Sequence, residues 1–254
     1  ARPPSPYWPG SDSSRIRPTD VRGCLFVLVL GAAILGGAAW FGSPILASTV
    51  IATALQNAGY HAATSTVTAT SDPPPKLLLG RADQVEIRGT DVDFRTFHAA
   101  SLDLVLTDVD VVGRTAARIS GRIVGAELAT TDGTATTADV DIDGAAGAAD
   151  ASIVVDAATV DRVVKATMKQ KFGITVSATE LIAPDTLRIT AVGATVTGRL
   201  VVDASGAITL STPLGSSPIL SLDPSFPLRL RAVAAVEGDL RIDATLDAEA
   251  LLGG

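Results

Sequence analysis

The chain is nearly without cysteine: Cys24 is the only one among 254 residues. An intramolecular disulfide and a multi-cysteine zinc site each need at least two thiols, so both are excluded, together with dithiol redox chemistry. Aromatic residues are scarce at 4%, which leaves few rings on which nucleobases or sugars could stack. Basic residues are outnumbered, 20 Lys and Arg against 27 Asp and Glu, and a chain with a pI near 4.8 lacks the phosphate-neutralising surface of a nucleic-acid binder. Asn57 is the single asparagine and does not begin an Asn-x-Ser/Thr acceptor. No Gly-x-Ser-x-Gly elbow, His-Glu-x-x-His helix, Gly-x-x-x-x-Gly-Lys-Ser/Thr loop or Gly-x-Gly-x-x-Gly turn occurs. No catalytic residue, metal or cofactor is assigned on these grounds, and the chain reads as a non-enzyme.

What is present is apolar: 47% hydrophobic against 19% charged residues, with 23 Gly and 14 Pro. Such a chain is too hydrophobic to stay disordered and long enough for one sizeable domain. Arg outnumbers Lys 16 to 4, a bias of GC-rich bacterial genomes. Residues 1–22 carry five prolines and a polar stretch at 10–14, and read as a disordered tail. From Gly23 to Gly42 the chain runs 20 residues without a charge, about 30 Å as a helix, the thickness of a bilayer core. Trp40 and Phe41 close that run, where aromatic rings favour the interface. The tail holds Arg2, Arg15, Arg17 and Arg22, and no further Lys or Arg appears until Lys76. The positive-inside rule then places the N-terminus in the cytoplasm and residues 43–254, net −9, outside. A cleaved signal peptide is the competing reading, but no clean small-x-small site follows the run, and the run is long. Cys24 precedes the apolar run, so it is read as a small apolar residue at the membrane edge and not as a lipid-attachment site.

In the outer domain, Ile45, Ala52, Leu55 and Ala58 recur at helical spacing between Pro44 and Gly59, which predicts one helix. After Asp72-Pro73-Pro74-Pro75 the period becomes two. Val85 and Ile87, Leu102, Leu104 and Leu106, Ile119, Gly121 and Ile123, and Val140 and Ile142 each alternate with polar neighbours and predict half-buried strands. The parity flips between Leu106 and Val109, which predicts a bulge near Thr107 or a strand end. Leu187, Ile189 and Ala191, then Val196, Leu200 and Val202, predict two more strands, and Asp203-Ala204-Ser205-Gly206 a turn into Ile208 and Leu210. Even positions from Phe226 to Val236 and from Leu240 to Leu246, around Glu237-Gly238-Asp239, predict a terminal hairpin with one apolar face. Between the strands, Val160, Val163, Val164, Met168 and Phe172 follow a helical period behind an N-cap at Asp156 and ahead of Gly173. The expected fold is α+β: a strongly curved antiparallel sheet packed around one or two helices, preceded by a single transmembrane helix.

Asp139-x-Asp141-x-Asp143-Gly144 with Asp150 matches the spacing of a calcium loop, but Val140 and Ile142 give it strand alternation and no helix flanks it, so a solvated strand is expected and no metal is assigned. Asp91-x-Asp93 and Asp108-x-Asp110 read as solvated turns and not as paired glycosidase acids. His61 and His98 stand in no recognisable motif. Arg118 and Arg122 could form a stripe that grips a phosphate head group in a bidentate fork, set against a solvated strand face, and Arg229 and Arg231 carry the same two readings.

Leu55-Gln56-Asn57-Ala58-Gly59, then Leu79-Gly80-Arg81-Ala82-Asp83-Gln84-Val85-Glu86-Ile87-Arg88-Gly89 and Leu102-Asp103-Leu104-Val105-Leu106, resemble the LmeA family of actinobacterial envelope proteins. So does the close of the chain, Phe226-Pro227-Leu228-Arg229-Leu230-Arg231-Ala232-Val233 followed by Gly238-Asp239-Leu240-Arg241-Ile242. The resemblance covers about residues 44–251. It implies phospholipid binding outside the cytoplasmic membrane, a role in cell-envelope assembly, and a sheet cradling helices around acyl chains. The side chains in position to line such a tunnel are Leu102, Leu104 and Leu106, Val160, Val163, Val164, Met168 and Phe172, and Phe226, Leu228 and Leu230. Phospholipid and the membrane are thus the expected partners. The alternative is a structural or interaction module of the envelope with a filled core and no ligand.

Overall fold

Residues 44–57 form helix α1, which carries no charged side chain. Its hydroxyls bond back to the preceding turn, Ser48 Oγ to the Pro44 carbonyl and Thr49 Oγ1 to that of Ile45, so an apolar helix is left with few free polar groups. The structure, a computed structural model, describes residues 42, 44–57, 59–94, 97–129, 135–191, 193–212, 215–221 and 227–248. Residues 1–22, all of 23–42 but Gly42, and Phe226 therefore lie outside the described residues. Among the described residues no helix is long and apolar enough to cross a membrane.

After α1 the chain turns at Gly59 (φ 96°) into β1 (Tyr60–Thr70) and a 3-10 turn over Pro74–Leu79, followed by β2 (Arg81–Phe94), β3 (Phe97–Asp110), β4 (Arg118–Ala129), β5 (Ala135–Ala145) and β6 (Ala148–Val155). Each pairs antiparallel with its predecessor. Helix α2 (Ala157–Phe172) leads to a second meander: β7 (Val176–Ile182), β8 (Thr186–Ala191), β9 (Ala194–Val202), β10 (Ile208–Thr212) and β11 (Gly215–Leu220). The terminal hairpin, β12 (Leu228–Val236) and β13 (Asp239–Leu246), returns to the first sheet, where β13 pairs with β6. The larger sheet has eight strands in the order β1-β2-β3-β4-β5-β6-β13-β12 and the smaller has five, β11-β10-β9-β8-β7. The protein is thus a sheet-dominated α+β structure, with two antiparallel sheets where the sequence suggested one.

Helix α2 joins them. It touches β5 and β13 of the larger sheet and β7 and β11 of the smaller. Thr159 N–H and Oγ1 both donate to the Asp156 carboxylate, which caps the helix and holds that carboxyl below its ordinary value. Asp161 binds Lys165 on its own helix and accepts from Thr179 Oγ1 of β7 at 2.8 Å, tying helix to sheet. On the other side, the Ala235 amide of β12 donates to the Pro184 carbonyl between β7 and β8.

The apolar interior is one continuous cluster that runs through both sheets and both helices. Ile153, Leu187, Leu200, Ile208 and Ile242 are its largest fully buried members, each worth about 1.5–3 kcal/mol of burial. Two sequence expectations change in detail. In β12 the register shifts between Leu230 and Ala232, so the even positions do not share one face throughout. Beyond the bulge Ala235 faces Leu240 and is buried, whereas Ala232 and Val236 are exposed. In β3 the parity flip is a kink at Asp108, whose φ is 51°, and pairing with β2 resumes unshifted at Ala82 and Val109.

Candidate functional site

The inner face of the larger sheet collects the apolar side chains that the strand period singles out. Leu102 lies between Gly89 and Ile123, Leu104 between Ile87 and Gly121, and Leu106 between Val85 and Ile119. Leu102 and Leu106 are buried and Leu104 half-buried. Gly121 offers no side chain to cover Leu104, and none fits there: a Cβ would stand 2.1 Å from the Asp103 carbonyl oxygen. On α2, Val160 and Val164 are buried, Val163 and Met168 half-buried, and Phe172, at the helix end, is 51% exposed. Leu228 and Leu230 are half-buried opposite Leu246 and Ala244.

Leu102, Leu106, Val160 and Val164 thus belong to one buried cluster, with Leu104, Met168, Leu228 and Leu230 packed against it. They occupy different parts of it, because β3 is two strands away from β5, where α2 meets the larger sheet. Phe172 stands outside, beside Gly173 in the left-handed conformation (φ 68°).

Two residues of this face escape a hydropathy reading. The Tyr60 hydroxyl and Thr136 Oγ1 are buried without a hydrogen-bond partner. Tyr60 opens β1 and Thr136 stands at the start of β5, so both lie at the end of the sheet away from the Pro74–Leu79 turn. The Tyr60 hydroxyl lies against Gly89, where a Cβ would come within 2.3 Å of it. A buried hydroxyl without a partner costs about 1–3 kcal/mol, so these are positions where a ligand oxygen or amide would be favourable. The sequence signal was a polar atom at an inward parity, legible only once the register was known.

The outer face is the opposite in character. Arg88 faces Asp103 at 3.2 Å, Arg118 faces Asp143 at 3.2 Å, and Arg122 bridges Asp139 at 3.1 Å and Asp141 at 3.7 Å. The guanidiniums of Arg118 and Arg122 are therefore occupied by carboxylates of the next strand. Asp139, Asp141 and Asp143 sit on β5 as alternate residues of a strand and not in a loop, and among the described residues no three His, Cys, Asp or Glu groups lie close enough to hold a metal ion. A depression of about 400 Å³ on this face is lined by six charged residues, Asp141, Asp143, Asp150, Arg231, Arg241 and Asp243, together with Ile142, Ala151 and Ser152, and so many charges are unlike an acyl-chain site.

Both histidines fall in one cross-strand row that spacing alone did not reveal: His61 opposite Asp93, Asp93 opposite His98, and His98 opposite Glu127. The His98 Nδ1 is 2.9 Å from Asp93 Oδ1 and its Nε2 is 3.7 Å from Asp91. The bond to Asp93 raises the imidazole above its ordinary value. Among the described residues no serine hydroxyl bonds to His98.

A family model described as LmeA-like phospholipid-binding matches residues 38–245, from before α1 almost to the end of β13. No curated protein and no solved structure matches the chain.

Proposed function

The chain belongs to the LmeA-like phospholipid-binding family, and on that premise we propose that it is a membrane-anchored, extracytoplasmic protein that binds phospholipid and handles it during cell-envelope assembly, without catalysis. Residues 23–42 are its single span, with the N-terminus in the cytoplasm and the described domain outside. The observation that carries the reading is a set of large apolar side chains left half-buried around the interior, Leu104, Met168, Leu228 and Leu230 among them, together with two buried hydroxyls that lack partners. Acyl chains in contact with such side chains are stabilised by about 0.8 kcal/mol per buried CH₂, while Tyr60 and Thr136 are suited to ester or phosphate oxygens. Head-group binding by Arg118 and Arg122 is the weaker assignment, because a phosphate there must displace Asp139, Asp141 and Asp143.

The test is the lipid content of the full-length chain, purified in detergent and read by native mass spectrometry and organic extraction. Wild type is expected to retain phospholipid. Tyr60→Phe should lower that retention several-fold with no loss of thermal stability, because a hydroxyl serving only the fold has no partner to lose. Repeated preparations without phospholipid overturn the reading. They would leave the alternative of an interaction module, favoured by the fully buried Ile153, Leu187 and Leu200.

A further inference from the structure

One end of the larger sheet is built from exposed aliphatic residues. The 3-10 turn between β1 and β2 projects Leu78 and Leu79, and the turn between β3 and β4 projects Val112. Leu79 and Val112 are 76% and 80% exposed. They are held together by Gly80, whose φ of 75° suits glycine and where a Cβ would come within 2.7 Å of the Val112 side chain. The Val111 amide donates to the Gly80 carbonyl at 2.8 Å, and the Asp110 carboxylate accepts from the Val112 and Gly113 amides. Leu79 and Val112 are therefore presented to solvent by a backbone that is itself well bonded, and the exposure is not that of a loose loop.

Helix α1 starts at the same end. Ser48 Oγ accepts from the Ala69 amide at 3.1 Å, and Ala69 lies at the β1 terminus that enters the turn. The first turns of α1 add Ile45, 71% exposed, and Leu46. Around the two loops stand Lys76, Arg81 and Arg114, all exposed, and the last two have no carboxylate partner among the described residues. The nearby Asp83 and Asp110 carboxylates accept backbone N–H bonds. The uncharged segment 23–42 ends two residues before α1 begins, so wherever that segment lies, this end of the domain is within a few residues of it.

We propose that this end, with Leu78, Leu79 and Val112 at its tip, inserts into the lipid surface beside the anchor and stands the larger sheet end-on to the bilayer. The occupant is phospholipid: aliphatic side chains suit the acyl boundary, and the unpaired guanidiniums of Arg81 and Arg114 suit head-group phosphates. A domain of net −9 is repelled by an anionic leaflet over most of its surface, and the tip supplies a local exception. The proposal rests on reading residues 23–42 as an anchor and makes no use of the inner face.

In the full chain carrying Cys24→Ser, single cysteines are introduced as Leu79→Cys, Val112→Cys and Val236→Cys and labelled with an environment-sensitive fluorophore. Val236 is the control, an exposed apolar residue at the end of β12 beside the β12–β13 turn, at the opposite end of the sheet. The labelled protein is reconstituted into phosphatidylcholine vesicles containing phosphatidylglycerol. Labels at 79 and 112 are expected to shift to the blue, brighten several-fold over the label at 236, and be quenched by doxyl-labelled lipid. Equal spectra at all three sites, in protein that floats with the vesicles, overturn the docking and leave the anchor intact. Bright labels that lipid-borne doxyl does not quench overturn it in favour of a second copy of the chain. Protein that fails to float overturns docking and anchor together, and leaves phospholipid retention to be judged by its own assay.

Discussion

On the inner face of the larger sheet Val85, Leu106, Ile119, Ile142, Ile153 and Ile242 lie on successive or neighbouring strands and are nearly all hidden from water. On the outer face the residues between them are Arg88 beside Asp103, Arg122 beside Asp139 and His98 beside Asp93. One backbone with one period of two carries both. The inner residues are held by area removed from water, which is cumulative and indifferent to orientation. The outer residues are held by solvated ion pairs, each worth little and dependent on pH and salt. Stability and any burial of a bound acyl chain therefore belong to the inner face, while the outer face sets solubility and charge.

The sharpest way to break that contrast is Ile153→Asp, which buries an unpaired carboxylate at a position with no exposure. A cost of about 4 kcal/mol or more is expected, and the cooperative thermal transition should be lost or fall far in temperature; a near-normal transition would show that the inner face is not a packed interior. On the outer face, the His98–Asp93 bond gives a smaller effect that depends on pH. Because His98 is raised in the fold, its contribution is complete below the ordinary imidazole value of about 6.5 and fades as pH rises through the folded value. Asp93→Asn should flatten that part of a plot of urea midpoint against pH and leave the acid limb unchanged. Smallest of all is Arg122→Ala. Its two ion pairs are more than half exposed on the arginine side, so no resolvable change in melting temperature is expected, and a drop of several degrees would mean that the outer pairs carry structural weight.

Much of the local structure was legible beforehand. Helix α2 begins after Asp156 and ends before Gly173, as its capping residues predict, and α1, the Asp203–Gly206 turn and the terminal hairpin fall where periodicity and turn residues put them. At the turn, Asp203 accepts from Ser205 and Ala207 amides and from two hydroxyls, which hold its carboxyl down at about 2. The strands that gave no clear signal have a common cause. β1 is largely Ala, Ser and Thr at a sheet edge with one face solvated, β6 opens with Ala148, Ala149, Asp150, Ala151 and Ser152 before its first large apolar residue, and β11 is an edge strand holding Pro218. Small residues satisfy a strand as well as large ones but leave no contrast in hydropathy.

The candidate site was legible only as a set of apolar positions. That Leu104 stays half-covered depends on Gly121 being its neighbour, and that the Tyr60 hydroxyl can lie where it does depends on Gly89, where a Cβ would collide with it. Neither neighbour is near in sequence.

What the sequence alone determined is the alternation of faces, the caps and the charge balance, because these are set by residues one to four apart and by elementary geometry. The division into two sheets, the parity change at the β12 bulge, the pairing of Arg118 and Arg122 with carboxylates and the approach of Val112 to Gly80 were decided by tertiary structure alone. Each depends on register between strands, and register follows from the free energy of the whole interior and not from any one segment.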